Sequence, residues 1–361
     1  MTGKRVAVGL SGGVDSAVAA ALLQEAGHAV IGVSMKIWDG RPMAPESRRH
    51  ACYGPDEAED LRDAERVASH LGIPFHVLDL SAEYRHQILA ECSRQYLSGR
   101  TPNPCVHCNR RIKFDLIPAR LRDQGIDVDA FATGHYAIVQ NDVPRGRFLL
   151  LRGRDRDKDQ SYFLYQLTQD LLACALLPLG TRTKAEVRDR ARALGLPVAE
   201  KAESQDFIAG GYDSIFDSPD EPGPILNESG EAVGRHGGIR HYTVGQRRGL
   251  GIAHAEALYV LAIDERRHAI IVGPAHSLYA DALVAEALNW IAIPSLDTPR
   301  RVQARIRHRH EAADATLDPL PEGRARVRFD HPQRAIAPGQ AVVFYEGEIV
   351  LGGGIIAKPD R

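Results

Sequence analysis

Nowhere in the 361 residues is there a run of about 18 apolar side chains, so no transmembrane helix is expected. The opening "MTGKRVAVGLSGG" has too short an apolar stretch for a secretory signal and leads straight into a glycine motif, which points to a cytoplasmic protein. Cysteine is scarce: five residues, an odd number, too few for a disulfide framework. Thiol chemistry is therefore read in a reducing compartment. Neither sign of charge dominates, with a formal net charge of −2, which argues against bulk binding to DNA or another polyanion; no membrane partner is expected either. Internal repeats and low-complexity tracts are also missing. What is left is an ordinary globular composition, 44% hydrophobic and 25% charged, long enough for two or three domains.

Basic residues do gather locally, as "NRRIK" (109–113), "RGRDRDK" (152–158), "GQRRG" (245–249) and "RIRHRH" (305–310). Each alone reads as a solvated face; the four together suggest a composite surface for a polyanion. The first of them adjoins a Cys-x-x-Cys pair, Cys105 and Cys108, in "TPNPCVHCNRRIKF". Such a pair is a zinc half-site, a redox couple, a pair of cluster ligands or a sulfur-carrying nucleophile.

The first part of the chain alternates strand-like and helix-like segments. Strands are expected over 4–10, 28–36, 75–80 and 129–139, and helices over 15–27, 56–72, 82–99, 114–125 and 183–195. This alternation implies an α/β fold with a doubly wound, mostly parallel sheet. Ligands of such sheets sit at the carboxyl ends of the strands, so the loops after Leu10, Lys36 and Thr133 are the places to look. Beyond about residue 205 the pattern changes to short, turn-rich strands, expected to form two small β-rich domains, the last a β-barrel. The expected division is 1–205, 206–275 and 276–361.

Between the first strand and first helix lies "GLSGGVDS", Gly9 to Ser16. Gly12 and Gly13 allow close backbone approach to an anion, the loop N–H groups and helix N-terminus favour phosphate, and Ser11 and Ser16 add hydroxyls. Asp15 would repel phosphate unless Mg²⁺ lay between them. No lysine follows the glycines as in a Walker A loop, and the dinucleotide fingerprint Gly-x-Gly-x-x-Gly is not met.

"SGGVDS" resembles the PP-loop of ATP pyrophosphatases, which split ATP into AMP and pyrophosphate. Taken with "GVSMKIWD" (32–39), "GRTPNPCVHCNRRIKF", "ATGHYA" (132–137), "DKDQSYFLYQL" (157–167), "HYTVGQRRGLGI" (241–252) and "PGQAVVFYEGEIVLGGGII" (338–356), it resembles the tRNA-specific 2-thiouridylases over nearly the whole chain. The resemblance implies that ATP adenylates the C2 oxygen of the wobble uridine of tRNA and that sulfur then displaces AMP. It assigns ATP binding to Gly9, Leu10, Ser11, Gly12, Gly13, Val14, Asp15, Ser16, Met35 and Gly134, and the target base to Asn103, Pro104, position 105 and His135. Lys158, Asp159, Gln160, Arg307, His308 and Gln340 match tRNA contacts, and Cys108 matches the nucleophile. Arg110, Arg111 and Lys113 are expected to lower its pKa. The implied partners are tRNA and a sulfur donor, either a persulfide carrier protein or sulfide, and the implied cofactors are ATP and Mg²⁺.

Two departures stand out. Many members carry Asp where this chain has Cys105, and the family's second cysteine is missing from "ESQDFIAGGY" (203–212). Cys105 could replace the lost thiol in a local persulfide pair with Cys108. Alternatively Cys105, Cys108 and Cys52 could ligate a [4Fe–4S] cluster, the reading favoured by the coupled gain and loss of thiols. Structural zinc, with His50, His107 or His135 contributing, is the weakest reading because no second Cys-x-x-Cys exists. Cys92 and Cys174 read as core residues. An amide or amidine ligase of the PP-loop class, a thiolase acting on another tRNA nucleotide and a non-catalytic tRNA-binding protein are the rival readings.

Overall fold

Val6, Ala7 and Val8 have no exposed surface, as expected of a strand covered on both faces. They belong to β1 (Arg5–Gly9) of a computed structural model that describes residues 3–41, 51–202, 206–209 and 211–360. The chain then runs through α1 (Val14–Glu25), β2 (Ala29–Lys36), β3 (Ala51–Tyr53), α2 (Glu57–Leu71) and β4 (Phe75–Asp79). Helical turns from Pro104 to Asp123 precede β5 (Ala130–Ala132), β6 (Ala137–Asp142), β7 (Arg147–Arg152), β8 (Ala175–Leu176), α3 (Lys184–Ala193) and β9 (Asp206–Ile208).

Contacts divide the chain into two compact units. The first comprises Met1–Leu89, Pro104–Ile215 and Glu348–Val350. Its five-stranded sheet has the order β4-β2-β1-β5-β8, and every pairing is parallel. The order reverses direction between β1 and β5, which opens a crevice at their carboxyl ends. The glycine loop follows β1 and Thr133-Gly134-His135 follows β5, so both meet that crevice. The core beneath is aliphatic and small: Ala17, Ala19 and Ala20 of α1 let the helix lie close to Val6, Val8 and Val30, with Val187 and Ala191 of α3 alongside. Gly72, in the left-handed region at φ 65°, ends α2, as its sequence signal requires.

Two expected elements differ. The single strand over 129–139 is split into β5 and β6, because Thr133 to Tyr136 leave the sheet as a loop. The helix expected from 114 starts ten residues earlier, at Pro104, a residue that suits a first helical turn because it has no N–H to leave unsatisfied. Widened, π-type turns run from Cys108 to Leu116, the kind of helix irregularity that concentrates at functional sites. Strands β3 and β9 pair in parallel, Ala51 with Asp206 and Tyr53 with Ile208; at three residues each they are too short for a periodic signal.

The second unit comprises Ala90–Asn103, Phe216–Gly347 and Leu351–Arg361. A four-stranded sheet, in the order Ala232–His236, Gly223–Leu226, Ala269–Gly273 and Tyr259–Asp264, packs on Ile239, Tyr242 and Leu250. Tyr279–Trp290, Arg324–Arg334, Ala313–Leu320, Arg300–Arg305, Ala341–Glu346 and Ile349–Asp360 form a six-stranded barrel, closed where Ala282 pairs with Asp360 and Trp290 with Gly352. Its filling is Leu283, Val302, Leu317, Val327, Phe344 and Leu351. A doubly wound sheet followed by two β-rich parts is thus the architecture. No helix among the described residues is long and apolar enough to cross a membrane.

Candidate active site

The glycine loop is shaped from within. Ser11 N donates to Ser16 Oγ at 3.1 Å and Ser16 Oγ donates to Gly13 O at 3.1 Å, so these hydroxyls first fix the loop. Gly12 has φ +72°, and a Cβ there would fall 2.4 Å from Asp60 O at the start of α2. Gly134 is pressed just as closely: a Cβ would lie 2.7 Å from Asp15 C. Glycine at these two positions lets three chain segments converge on one point.

Two cavities flank that point, both within the first unit. One, of about 260 Å³, is lined by Gly9, Leu10, Ser11, Asp15, Ser16, Met35, Cys52, Lys113, Gly134, His135 and Gln160, with Val33, Ile37, Ile117 and Phe131 as apolar wall. The second, of about 220 Å³, is lined by Ser11, Gly13, Val14, Asp15, Asp60, Tyr136, Gln160 and three lysines, Lys158, Lys184 and Lys201. Glu57 braces the first cavity from behind, accepting the N–H groups of Ile37 at 2.6 Å and Trp38 at 2.9 Å just after Met35. Burial raises its pKa despite those two bonds.

Asp15 is held by direct contacts. Lys184 Nζ lies 2.7 and 2.8 Å from its two oxygens, and the Tyr136 hydroxyl donates to Oδ1 at 2.8 Å. The expectation that Mg²⁺ would offset this carboxylate meets a different arrangement: a lysine from α3 already does so. Lys184 escapes sequence reasoning because it lies 169 residues away. Its local signal is the Thr183–Glu186 capping box, which fixes the helix start on which it sits. Lys201 likewise pairs with Asp60 at 2.7 Å and Asp63 at 2.5 Å.

The thiols overturn one expectation. Cys108 is buried and Cys105 half-buried, and burial pushes their pKa values up, to about 11 and about 12. Lys113 draws both down, and a hydrogen bond from Tyr84 also lowers Cys108, but desolvation wins. Lys113 is the basic residue of its cluster that acts on both thiols. Exposed Cys52 is within electrostatic reach of both thiols. It sits in the middle of β3, against β9, the segment in which the family's second cysteine is missing. Among the described residues no three His, Cys, Asp or Glu side chains converge at metal-ligating distance. The donor chemistry of three thiols still suits iron–sulfur ligation. His50 and residues 203–205 lie outside the described residues. His135 accepts or donates at 2.7 Å to Thr133 Oγ1, and burial, aided by Lys113, keeps its pKa well below the usual histidine value.

Other predicted contacts are placed differently. Lys158 and Gln160 line the cavities, whereas the Asp159 carboxylate is buried and accepts from Gly153 N, Ser161 N and Ser161 Oγ at 3.0–3.1 Å. Pro104 is buried at the start of its helix. Asn103, Arg307, His308 and Gln340 belong to the second unit. There Gln340 Nε2 donates to Thr101 O and Pro102 O at 2.9 and 3.3 Å, and Arg307 donates to the carbonyls of Arg334 and Ala335.

Residues 4–209 match the tRNA methyl transferase HUP domain, 217–274 the tRNA methyl transferase PRC-barrel domain and 280–356 the aminomethyltransferase beta-barrel domain. Full-length relatives named tRNA-specific 2-thiouridylase MnmA are 48% identical in Geotalea uraniireducens, over 98% of this chain and 95% of the relative, and 48% in Moorella thermoacetica, over 97% and 98%. The chain belongs to the tRNA-specific 2-thiouridylase family. A member from Acetivibrio thermocellus, 44% identical, is covered end to end, with 99% of this chain matching 100% of the relative. In this 2-thiouridylase-family chain the glycine loop and Gly134 meet between the two cavities, and Cys105 stands among the positions that depart from the pattern set out above.

Proposed function

We propose that the chain catalyses ATP-dependent 2-thiolation of the wobble uridine (U34) of tRNA, in the cytoplasm where tRNA is found. The observation that carries this reading is the meeting of a PP-loop with a thiol and with the lysine that acts on Cys105 and Cys108: Gly9, Ser11, Asp15, Cys52, Lys113 and His135 line one cavity. The adenosine of ATP lies in that cavity beside Met35, and its outer phosphates lie in the lysine-lined one. Adenylation turns the uridine C2 oxygen, a poor leaving group, into part of AMP, a good one; sulfur then replaces it. His135 is neutral at physiological pH and so can hydrogen-bond the base edge without adding charge. Residues 1–205 supply the chemistry. Residues 206–275 and 276–361, with Arg307, His308 and Gln340, hold the folded tRNA while the uridine is extruded.

Sulfur is delivered at Cys108. Cys52, Cys105 and Cys108 would hold a [4Fe–4S] cluster, which supplies an iron site for sulfide; the local persulfide pair of Cys105 and Cys108 is the alternative. Cys52 favours the cluster, because β3 carries a third thiol to the edge left by the missing cysteine. No step is assigned to Mg²⁺, since Lys184 occupies both oxygens of Asp15. The function is tested by incubating the protein with unmodified tRNA, ATP and sulfide and analysing nucleosides by mass spectrometry. Appearance of 2-thiouridine at position 34 is expected; ATP cleavage without it sinks the reading. Anaerobic purification with iron and sulfide assays tests the cluster. Iron lost in Cys52→Ser supports it, and a colourless, iron-free protein that thiolates tRNA from a persulfide donor overturns it.

A further inference from the structure

Two leaving groups depart in this reaction, pyrophosphate and then AMP, and the two cavities are unequally charged. They share the wall formed by Ser11, Asp15, Asp60 and Gln160. The second holds three lysines; the first has Lys113 as its one lysine or arginine among the described residues. Lys113 makes no ion pair or hydrogen bond with any described residue, whereas Lys184 and Lys201 are each clasped by carboxylates. It is thus an ammonium group held beside Cys105, Cys108 and His135 with no counter-ion among the described residues.

We propose that Lys113 is a catalytic residue for the second half of the reaction, the cation that receives the charge of departing AMP. This rests on the thiolation reading above. In the first half the uridine C2 oxygen bonds to the α-phosphorus, and the bond to the bridging oxygen breaks with its electron pair leaving on pyrophosphate. The lysine-lined cavity takes that charge. The tRNA adenylate left behind carries one negative charge on its phosphoryl group. In the second half hydrosulfide forms the S–C2 bond, the C2–O bond breaks with its pair staying on the phosphoryl oxygen, and the sulfur proton passes to N3, which released its own proton to solvent on adenylation, leaving the 2-thiocarbonyl. AMP therefore leaves as a dianion, and the additional charge develops in the cavity where Lys113 is the counter-charge. A cation fixed where charge appears only in the transition state accelerates that step with little effect on ground-state binding.

The test uses the full chain with tRNA, anaerobic sulfide and ATP labelled at the α-phosphate, sampled by rapid quench. In Lys113→Met, pyrophosphate release and the KM for ATP should stay within about threefold of wild type, while AMP release slows about 100- to 1,000-fold. Label should accumulate on tRNA as the adenylate, and Lys113→Arg should recover AMP release to within about tenfold. Pyrophosphate and AMP release falling in step, or AMP leaving Lys113→Met at the wild-type rate, overturns the proposal. Lys113→Gln repeats the comparison if the methionine variant fails to fold. A wild-type chain that releases no pyrophosphate on addition of tRNA overturns the thiolation reading itself, independently of the variants.

Discussion

The two cavities that flank the glycine loop keep their polar groups in opposite states. In the lysine-lined cavity charges are present and matched, Lys184 against Asp15 and Lys201 against Asp60 and Asp63. Around the other, burial suppresses charge: His135 in its wall is kept well below the usual histidine pKa, and the Cys105 and Cys108 thiols, which interact with Lys113 of that wall, are pushed to about 12 and about 11. The first arrangement suits binding, since paired cations can turn to a polyphosphate without a large reorganisation. The second suits chemistry that must wait, because a thiolate forms only when something compensates its desolvation. Matched charge and suppressed charge thus sit on the two sides of one loop.

The largest effect should come from breaking the thiol side alone. Cys108→Ser should reduce formation of 2-thiouridine at least ~10⁴-fold while tRNA-dependent pyrophosphate release stays within about tenfold, as nucleoside mass spectrometry and a pyrophosphate assay would show. Equal loss of both would mean that the cavities act as one. Gly12→Ala should damage both sides together. Its side chain would meet Asp60 O at 2.4 Å on a backbone at φ +72°, so loop and α2 must separate. A displacement near 1 Å costs on the order of 100-fold in rate, so pyrophosphate and thiouridine formation should fall in parallel by about that factor.

The same division explains what could be read from the sequence. The parallel sheet, the glycine loop and the loop after Thr133 were legible because they rest on local patterns: β-branched runs, paired glycines and strand ends. The β-rich second half was legible as a class, since turns and short strands are local too. Partners across the fold were not. Nothing near Asp15 in the sequence announces Lys184, and nothing near Cys52 announces β9. The thiol pKa values failed for a physical reason: cations adjacent in sequence suggest a lowered value, but the π-type turns carry Cys108 into the core, and desolvation is a property of the packed state.

An intermediate effect is expected where Lys184 clasps Asp15. Lys184→Met leaves a largely enclosed carboxylate facing incoming phosphates, and the KM for ATP should rise about 10- to 100-fold, a loss of uniform binding. Adding Asp15→Asn should restore part of that affinity by removing the repulsion, and a double-mutant cycle measures the coupling. If the second substitution only deepens the defect, Asp15 has a positive role toward the nucleotide or its metal, and the matched-charge description of this cavity is wrong.

The smallest effect concerns stability, at Lys201. Burial pulls its ammonium pKa down, but hydrogen bonds to Asp60 and Asp63 outweigh this and leave it above 10.5. Burial pushes Asp63 up, but hydrogen bonds from Lys201 and Arg66 outweigh that and leave it below 3.8. The raised lysine contributes stability that is fully present below pH 10.5 and lost as pH climbs through its folded value. The depressed aspartate contributes stability that is present above pH 3.8 and lost as pH falls through its folded value. Lys201→Met should therefore lower stability by about 1–2 kcal/mol near pH 7, with the difference from wild type shrinking at both extremes, as denaturant melts across pH would record. The corresponding melts of Lys113→Met should show little change at any of these pH values, because that lysine has no carboxylate partner among the described residues to leave behind. A penalty for Lys113→Met equal to that of Lys201→Met would mean that Lys113 is paired after all.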